Sequence, residues 1–328
     1  MKKLLSVFLI ITITLCLVGC QDSGASKQPC FTFIVDKDNT YDVSFSKGFA
    51  QAAEANEVAC TILYASTAEE QSAAIEKAVQ EGAKAIAIAP VDETSLKSAL
   101  FKANQANIPV VTVNRPTDGA DYYINQADFE VITQTILEDI YELLDGEGQF
   151  ALVDTNMLGI SFRPWISYLE NLLKTEKYSS LELVEKVFAD DERVFEKVEN
   201  LTTKYPDLKL IYMPNGNYLD EICKRLEDKK SDVRVTGLAN PSKMKDLVGD
   251  DRVCPFFYLW DSEKIGADAF SVLKAIVDGK LTKEDTVFCP KEGEEYLISK
   301  EYLGQKTIYI SSIIQFNKDN IDCWCNIY

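Results

Sequence analysis

From residue 31 onward, short apolar runs alternate with longer stretches in which apolar residues recur every three or four positions. The runs at 31–35, 61–64, 85–89 and 109–113 are rich in β-branched residues and carry no charge, the signature of parallel strands buried on both faces. Between them, 45–56, 68–80 and 93–106 space Ala, Leu, Ile and Phe at the helical period, and Gly82 is placed to end the second helix. A second series begins near Val131. It predicts helices to 144 and over 164–173, 192–204 and 218–226, with strands at 149–153, 183–188, 208–213 and 234–238. One more helix is predicted at 261–278 and a late strand at 307–315, with turns at Gly279 and Gly304. Strand–helix repetition of this kind makes doubly wound α/β sheets, and right-handed crossovers put the carboxyl end of every strand on one edge, where ligand-binding loops belong. A chain of 328 residues is too long for one compact core, so two such domains are expected.

Composition narrows the chemistry. The net charge is −18, which repels a nucleic-acid phosphate backbone and excludes DNA or RNA as a partner. There is no His, which removes the commonest general base, the Ser-His-Asp and Cys-His nucleophile systems and the usual zinc ligand. No Gly-rich phosphate loop of the P-loop or dinucleotide type is present, and no nucleophile–base pair is visible, so the chain does not read as an enzyme.

The first residues read as an address. Lys2 and Lys3 precede an apolar run over 4–18, shorter than the ~20 residues of a spanning helix and shaped like a signal-peptide core. The run ends in Leu17-Val18-Gly19-Cys20, which resembles the bacterial lipobox, in which Cys20 becomes the lipidated first residue of the mature chain. Residues 21–28 are polar and small, a tether that holds a domain away from a bilayer. The expectation is a signal peptide over 1–19, a lipidated tether over 20–30, and a mature protein working outside the cytoplasm, anchored to the cell membrane by lipidated Cys20.

Nine cysteines include Cys16 and Cys20, leaving Cys30, Cys60, Cys223, Cys254, Cys289, Cys323 and Cys325, an odd number that cannot all pair internally. Cys60 in a strand-like run and Cys223 in a helical one read as small hydrophobes in packing. One disulfide is expected among Cys30, Cys254, Cys289, Cys323 and Cys325, whereas a reducing habitat would leave them as thiols. Cys323-Trp324-Cys325, taken as an extended segment, sends its thiols to opposite faces, and no His or second such pair exists to complete a site. Asp36, Asp38 and Asp42 lack the Gly and terminal Glu of an EF-hand loop. No metal and no cofactor is therefore expected.

Three segments carry a resemblance: Gln71-Ser72-Ala73-Ala74-Ile75, the run from Gly82 through Ala89-Pro90, and Ala106-Asn107-Ile108-Pro109-Val110-Val111-Thr112-Val113-Asn114-Arg115. Here the chain resembles the periplasmic sugar-binding protein family, the type 1 solute-binding proteins of ABC transporters, related to the effector domains of LacI-type regulators. The resemblance covers roughly 31–315. It implies two α/β domains joined by three crossing strands and closing on a ligand in the cleft between them. On this reading the N-terminal domain takes 31–126 plus 261–292 and the C-terminal domain 127–260 plus 293–328.

Carried over position by position, the family's contacts fall on Asn39 and Tyr41 in the loop after the first strand, where Tyr41 can stack on a sugar or base face and Asn39 can serve hydroxyls. They fall also on Asn114 and Arg115, where the family has Asp-Arg; on Gln126 at the first crossing; on Arg163 in Phe162-Arg163-Pro164-Trp165; on Asn215 in Pro214-Asn215-Gly216; and on Trp260 near the last crossing. Two acidic contacts of the family have become Asn114 and Ala239, so a simple pentose or hexose does not follow directly. Each residue also has a structural alternative: Tyr41 can cover a helix end, Arg115 can pair with a nearby carboxylate, and Trp260 can pack under the hinge.

The resemblance implies a monomeric, lipid-anchored protein that captures a sugar or sugar-like solute and delivers it to an ABC permease. Two alternatives stand beside it. One is a ligand sensor for a membrane histidine kinase or chemoreceptor. The other is a nucleoside-binding lipoprotein, suggested by Asp42-Val43-Ser44-Phe45.

Overall fold

The computed structural model describes residues 30–126, 128–154, 162–189, 193–302, 305–310 and 313–325, with the side chains of 162–164 and 300–302 left undescribed. The signal segment, Cys20 and the tether up to residue 29 lie outside the described residues. The first series comprises β1 (Cys30–Val35), α1 (Thr40–Ala55), β2 (Ala59–Tyr64), α2 (Ala68–Gln80), β3 (Ala85–Ile88), α3 (Lys97–Gln105), β4 (Val110–Val113) and β5 (Tyr122–Asn125). The second comprises α4 (Phe129–Leu143), β6 (Gly148–Asp154), α5 (Phe162–Leu172), β7 (Leu181–Phe188), α6 (Val194–Lys204), β8 (Leu208–Met213), α7 (Leu219–Asp228), β9 (Arg234–Gly237) and α8 (Pro241–Met244). The chain ends with β10 (Phe257–Leu259), α9 (Ser262–Val277), β11 (Val287–Phe288), β12 (Tyr296–Tyr302), β13 (Gln305–Tyr309), β14 (Ile314–Phe316) and α10 (Ile321–Trp324).

Two sheets result. The first runs β11-β12-β13-β5-β4-β3-β1-β2, parallel from β2 to β13 with β12 and β11 antiparallel at the edge. The second runs β7-β6-β8-β9, all parallel. The unbroken apolar runs are explained by helices on both faces. In β1, Phe31, Phe33 and Val35 pack with Phe45 and Phe49 of α1 and Phe270 of α9, while Ile34 faces the other way toward Ile75 of α2 and Leu100 of α3. Likewise Phe150 and Leu152 of β6 join α4 and α5, whereas Ala151 and Val153 join α6 and α7. The cores of β1 and β6 are thus apolar toward both faces.

Helices α1 and α9 approach more closely than side chains permit. A Cβ on Gly48 would sit 1.7 Å from the Glu263 carbonyl oxygen, and one on Gly266 would sit 1.8 Å from that of Phe45. Glycine at both crossing points lets the two backbones touch.

Three segments cross between the sheets. The first leaves β5 through Gln126 into α4; the second leaves β10 through Trp260 into α9; the third runs from β13 to β14. At the hinge β10 and β14 pair antiparallel, Tyr258 bridges to Leu238 beside β9, and the Ile310 amide donates to the Asn125 carbonyl. Asp139 of α4 binds two of these crossings at once, accepting from the Tyr258 hydroxyl at 2.5 Å and from Gln315 Nε2 at 2.9 Å.

Several predicted boundaries change for local reasons. The helix predicted from residue 45 starts at Thr40, capped by Asn39. That predicted from 93 starts at Lys97, because the Asp92 carboxylate accepts from the Thr94 and Ser95 amides and holds the chain in a turn. The late strand at 307–315 is two strands, β13 in the first sheet and β14 in the hinge pair. Residues 293–310, assigned from sequence to the C-terminal domain, supply β12 and β13 to the first sheet, since β13 pairs with β5. Cys323 lies in α10, not in an extended segment, because the chain turns helical after Asn320.

Candidate functional site

The carboxyl ends of β1, β3, β4 and β5 share one edge of the first sheet, and the residues that follow them meet there. Asn114, directly after β4, has φ +68°, and the Arg115 amide donates to the Val113 carbonyl at 2.7 Å, closing a γ-turn around it. This backbone is rare for a residue with a Cβ, and strain of that sort persists where surrounding structure enforces it. Here side-chain bonds do so. Asn114 Nδ2 donates to Asp42 Oδ1 at 3.3 Å, its Oδ1 accepts from Gln126 Nε2, and its backbone carbonyl accepts from the Tyr123 hydroxyl at 3.2 Å.

Arg115 then reaches back over the loop after β3, donating to the carbonyls of Pro90 at 3.2 Å and Val91 at 2.8 Å. The same loop is gripped from beneath by Gln71, a fully buried residue of α2. Gln71 Nε2 donates to the Ala89 carbonyl at 2.9 Å, and its Oε1 accepts from the Val91 amide at 3.0 Å. A buried amide that spends both ends on one loop fixes that loop's position.

Asp42, in the first turn of α1, is 2% exposed, and burial pushes its carboxyl up to about 7. The Arg115 charge and the Asn114 hydrogen bond oppose that rise, and Asp36 adds to it. A carboxyl poised near neutrality beside an amide and a guanidinium can accept from ligand hydroxyls or, once protonated, donate.

The sequence-predicted residues divide accordingly. Asn114, Arg115 and Gln126 come together with Asp42. Asn39 Oδ1 accepts from the amides of Tyr41 at 3.1 Å and Asp42 at 3.4 Å, so this oxygen caps α1. Tyr41 stands edge-on against Phe45, with ring centroids 4.8 Å apart. Trp260 is buried in the hydrophobic core that spans the hinge. Asn215, at the carboxyl end of β8 in the second sheet, accepts from the Asn217 amide at 3.3 Å within its own turn. Arg163 belongs to α5, and its side chain lies outside the described residues.

Sequence reading missed Gln71 as a positioning residue and Asp42 as a site residue. From sequence Asp42 stands in the loop before the predicted helix, and only the cross-contact to Asn114, 72 residues away, places it in the site. Behind the second sheet's edge, burial and the charge of Asp154 push the Tyr212 phenol well up, with Trp165 opposing. Among the described residues no group of three His, Cys, Asp or Glu could hold a metal ion, and no helix is long and apolar enough to cross a membrane.

Known proteins resemble the whole of this arrangement. The ribose import binding protein of Bacillus subtilis is 24% identical over 306 residues, spanning 88% of this chain and 98% of its own. That of Escherichia coli is 26% identical over 176 residues, 52% of this chain, and the match spans 58% of the relative's length. The crystal structure of an ABC transporter solute-binding protein from Clostridium phytofermentas with bound L-rhamnose is 28% identical, covers 92% of this chain and 99% of its own, and superposes with a TM-score of 0.73. The family model for the periplasmic binding protein domain matches residues 31–281. With two α/β sheets joined by three crossings, and with that match over most of its length, the chain belongs to the periplasmic binding protein domain family, whose members bind solutes and are not enzymes.

Proposed function

We propose that this protein captures a sugar or sugar-like small solute in the cleft between its two lobes, outside the cytoplasm, and delivers it to an ABC permease. The observation that carries the reading is the strained γ-turn at Asn114, held by Asp42 and Gln126 and followed by Arg115 clamped on the neighbouring loop. Such a turn presents fixed donors and acceptors at the sheet's carboxyl edge, the place where α/β folds bind ligands. The relatives' names, a ribose import binding protein and a solute-binding protein with bound L-rhamnose, support a sugar as the solute class. Asn39, Tyr41, Asn114, Arg115, Gln126 and Trp260 serve the ligand from the first lobe and the hinge, with Arg163 and Asn215 from the second, and Asp42 joins them. Ligand contacts made to both lobes favour the closed state. The N-terminal anchor at Cys20 is part of the same proposal, motivated by the lipobox-like Leu17-Val18-Gly19-Cys20.

Calorimetric titration with ribose, arabinose, L-rhamnose and a nucleoside tests the reading. Saturable binding of a sugar, weakened roughly ten- to a hundredfold by Arg115→Ala, is the expected result, because a charged hydrogen bond lost in a closed cleft costs about 1.5 to 3 kcal/mol. Binding of the nucleoside alone, or equal affinity in the variant, would overturn the solute class or the site respectively.

A further inference from the structure

We propose that the solute carries a protonated amine, so that the site takes an amino sugar, and that the Asp42 carboxylate is the group that receives its ammonium. The inference rests on the sugar-capture reading above and narrows it. Asp42 is buried at the carboxyl edge of the first sheet, and among the described residues its carboxyl has one side-chain partner, Asn114 Nδ2, which donates at 3.3 Å. A charge taken out of water loses its hydration, so buried carboxylates are ordinarily matched by a cation or by several donors. Asp42 has neither.

The groups that could serve it are engaged elsewhere. The Arg115 guanidinium, next along the chain from Asn114, donates to the Pro90 carbonyl at 3.2 Å and the Val91 carbonyl at 2.8 Å. Lys47, further along α1, pairs across the helix contact with Glu263 of α9 at 3.7 Å. The start of α1 offers nothing more, since the Tyr41 and Asp42 amides go to Asn39 Oδ1 and the Val43 amide goes to the Asn39 carbonyl. Among the described residues no group of three acids forms a cage for a metal ion.

The same lobe shows how a buried acid is treated when it serves the fold alone. Asp268 of α9, 5% exposed, accepts from Lys264 Nζ at 2.8 Å and from the Tyr296 hydroxyl at 3.0 Å. Its cation is built in. Asp42, 2% exposed, is built without one, at the edge where the ligand is held. A bound ammonium supplies the missing positive charge and up to three donors, whereas a hydroxyl supplies one donor and no charge. Without a cation, burial holds the Asp42 carboxyl up at about 7, with Arg115 opposing the rise and Asp36 adding to it; a bound ammonium would bring it down again and keep it ionised. Asp36 and Asp38, in the loop between β1 and α1, extend the negative field that draws a cationic solute to this edge.

The test is calorimetric titration of the full chain, expressed with its own leader and purified, at pH 7. The probes are D-glucosamine, D-galactosamine and D-mannosamine, each beside its neutral parent hexose and its N-acetyl form, with ribose and L-rhamnose alongside. At least one amino sugar is expected to bind about ten- to a hundredfold tighter than its parent, the range for a charged hydrogen bond in a dry cleft, with the gain lost on acetylation and reduced to about threefold or less in Asp42→Asn. Thermal unfolding of the variant shows that it is folded, and the acetylation arm needs no variant. A neutral sugar bound as tightly as every amino sugar overturns the ammonium and leaves sugar capture standing. A preference that survives in the variant overturns Asp42 as its seat. Binding of no sugar, charged or neutral, overturns both readings.

Discussion

Replacing Asp42 by Asn should make the protein more stable at pH 8 and leave it nearly unchanged at pH 4. In the fold the Asp42 carboxyl is raised from its ordinary 3.8 to about 7. Between those values the native state holds a proton that the unfolded chain has released, so stability falls as pH rises through the interval. Each pH unit of that difference is worth about 1.4 kcal/mol, so the interval amounts to on the order of 4 kcal/mol at pH 8. The amide introduced by Asp42→Asn would keep an oxygen for Asn114 Nδ2 to donate to, so the variant removes the charge while preserving the contact seen at 3.3 Å. Asp268, raised by burial to about 6 against the opposing pull of Lys264, tilts the wild-type profile in the same direction. The quantity to read is therefore the difference between the two proteins in urea unfolding at pH 4, 6 and 8. A difference that grows with pH to several kcal/mol is expected. A constant difference, or a variant less stable at pH 8, would refute the argument that burial governs this carboxyl.

Three further outcomes follow from the packing and the proposed anchor. Gly266→Ala should lower thermal stability sharply, because the new Cβ would lie 1.8 Å from the Phe45 carbonyl and α9 must shift off α1; a loss of about 1–3 kcal/mol or more in differential scanning calorimetry is expected. Tyr258→Phe should cost roughly 1–3 kcal/mol in chemical denaturation, since Asp139 loses the hydroxyl donor that ties it to β10 and keeps only Gln315. Cys20→Ser should move the protein from the membrane to the soluble fraction on cell fractionation, and its retention in the membrane would reject the anchor.

The sequence by itself determined the class of fold. Charge-free β-branched runs separated by amphipathic stretches can be satisfied only by parallel strands covered on both faces, and Phe31 to Val35 splits its residues between α1 with α9 on one side and α2 with α3 on the other, as that pattern requires. Asn114, Arg115 and Gln126 were singled out through the family resemblance, and they stand just past the ends of β4 and β5. What only the tertiary structure decided were contacts between distant segments. The pairing of β13 with β5 moved residues 293–310 into the first sheet, and the approach of α1 to α9 explained Gly48 and Gly266. Asn39, read from sequence only as a ligand group, also caps α1 through its Oδ1, because the helix starts five residues earlier than its apolar period, a stretch where capping rather than burial sets the boundary. Asp42 and Gln71 carry no local signature: an acid and an amide acquire their roles from what the fold brings against them, and periodicity along the chain encodes burial but not partners.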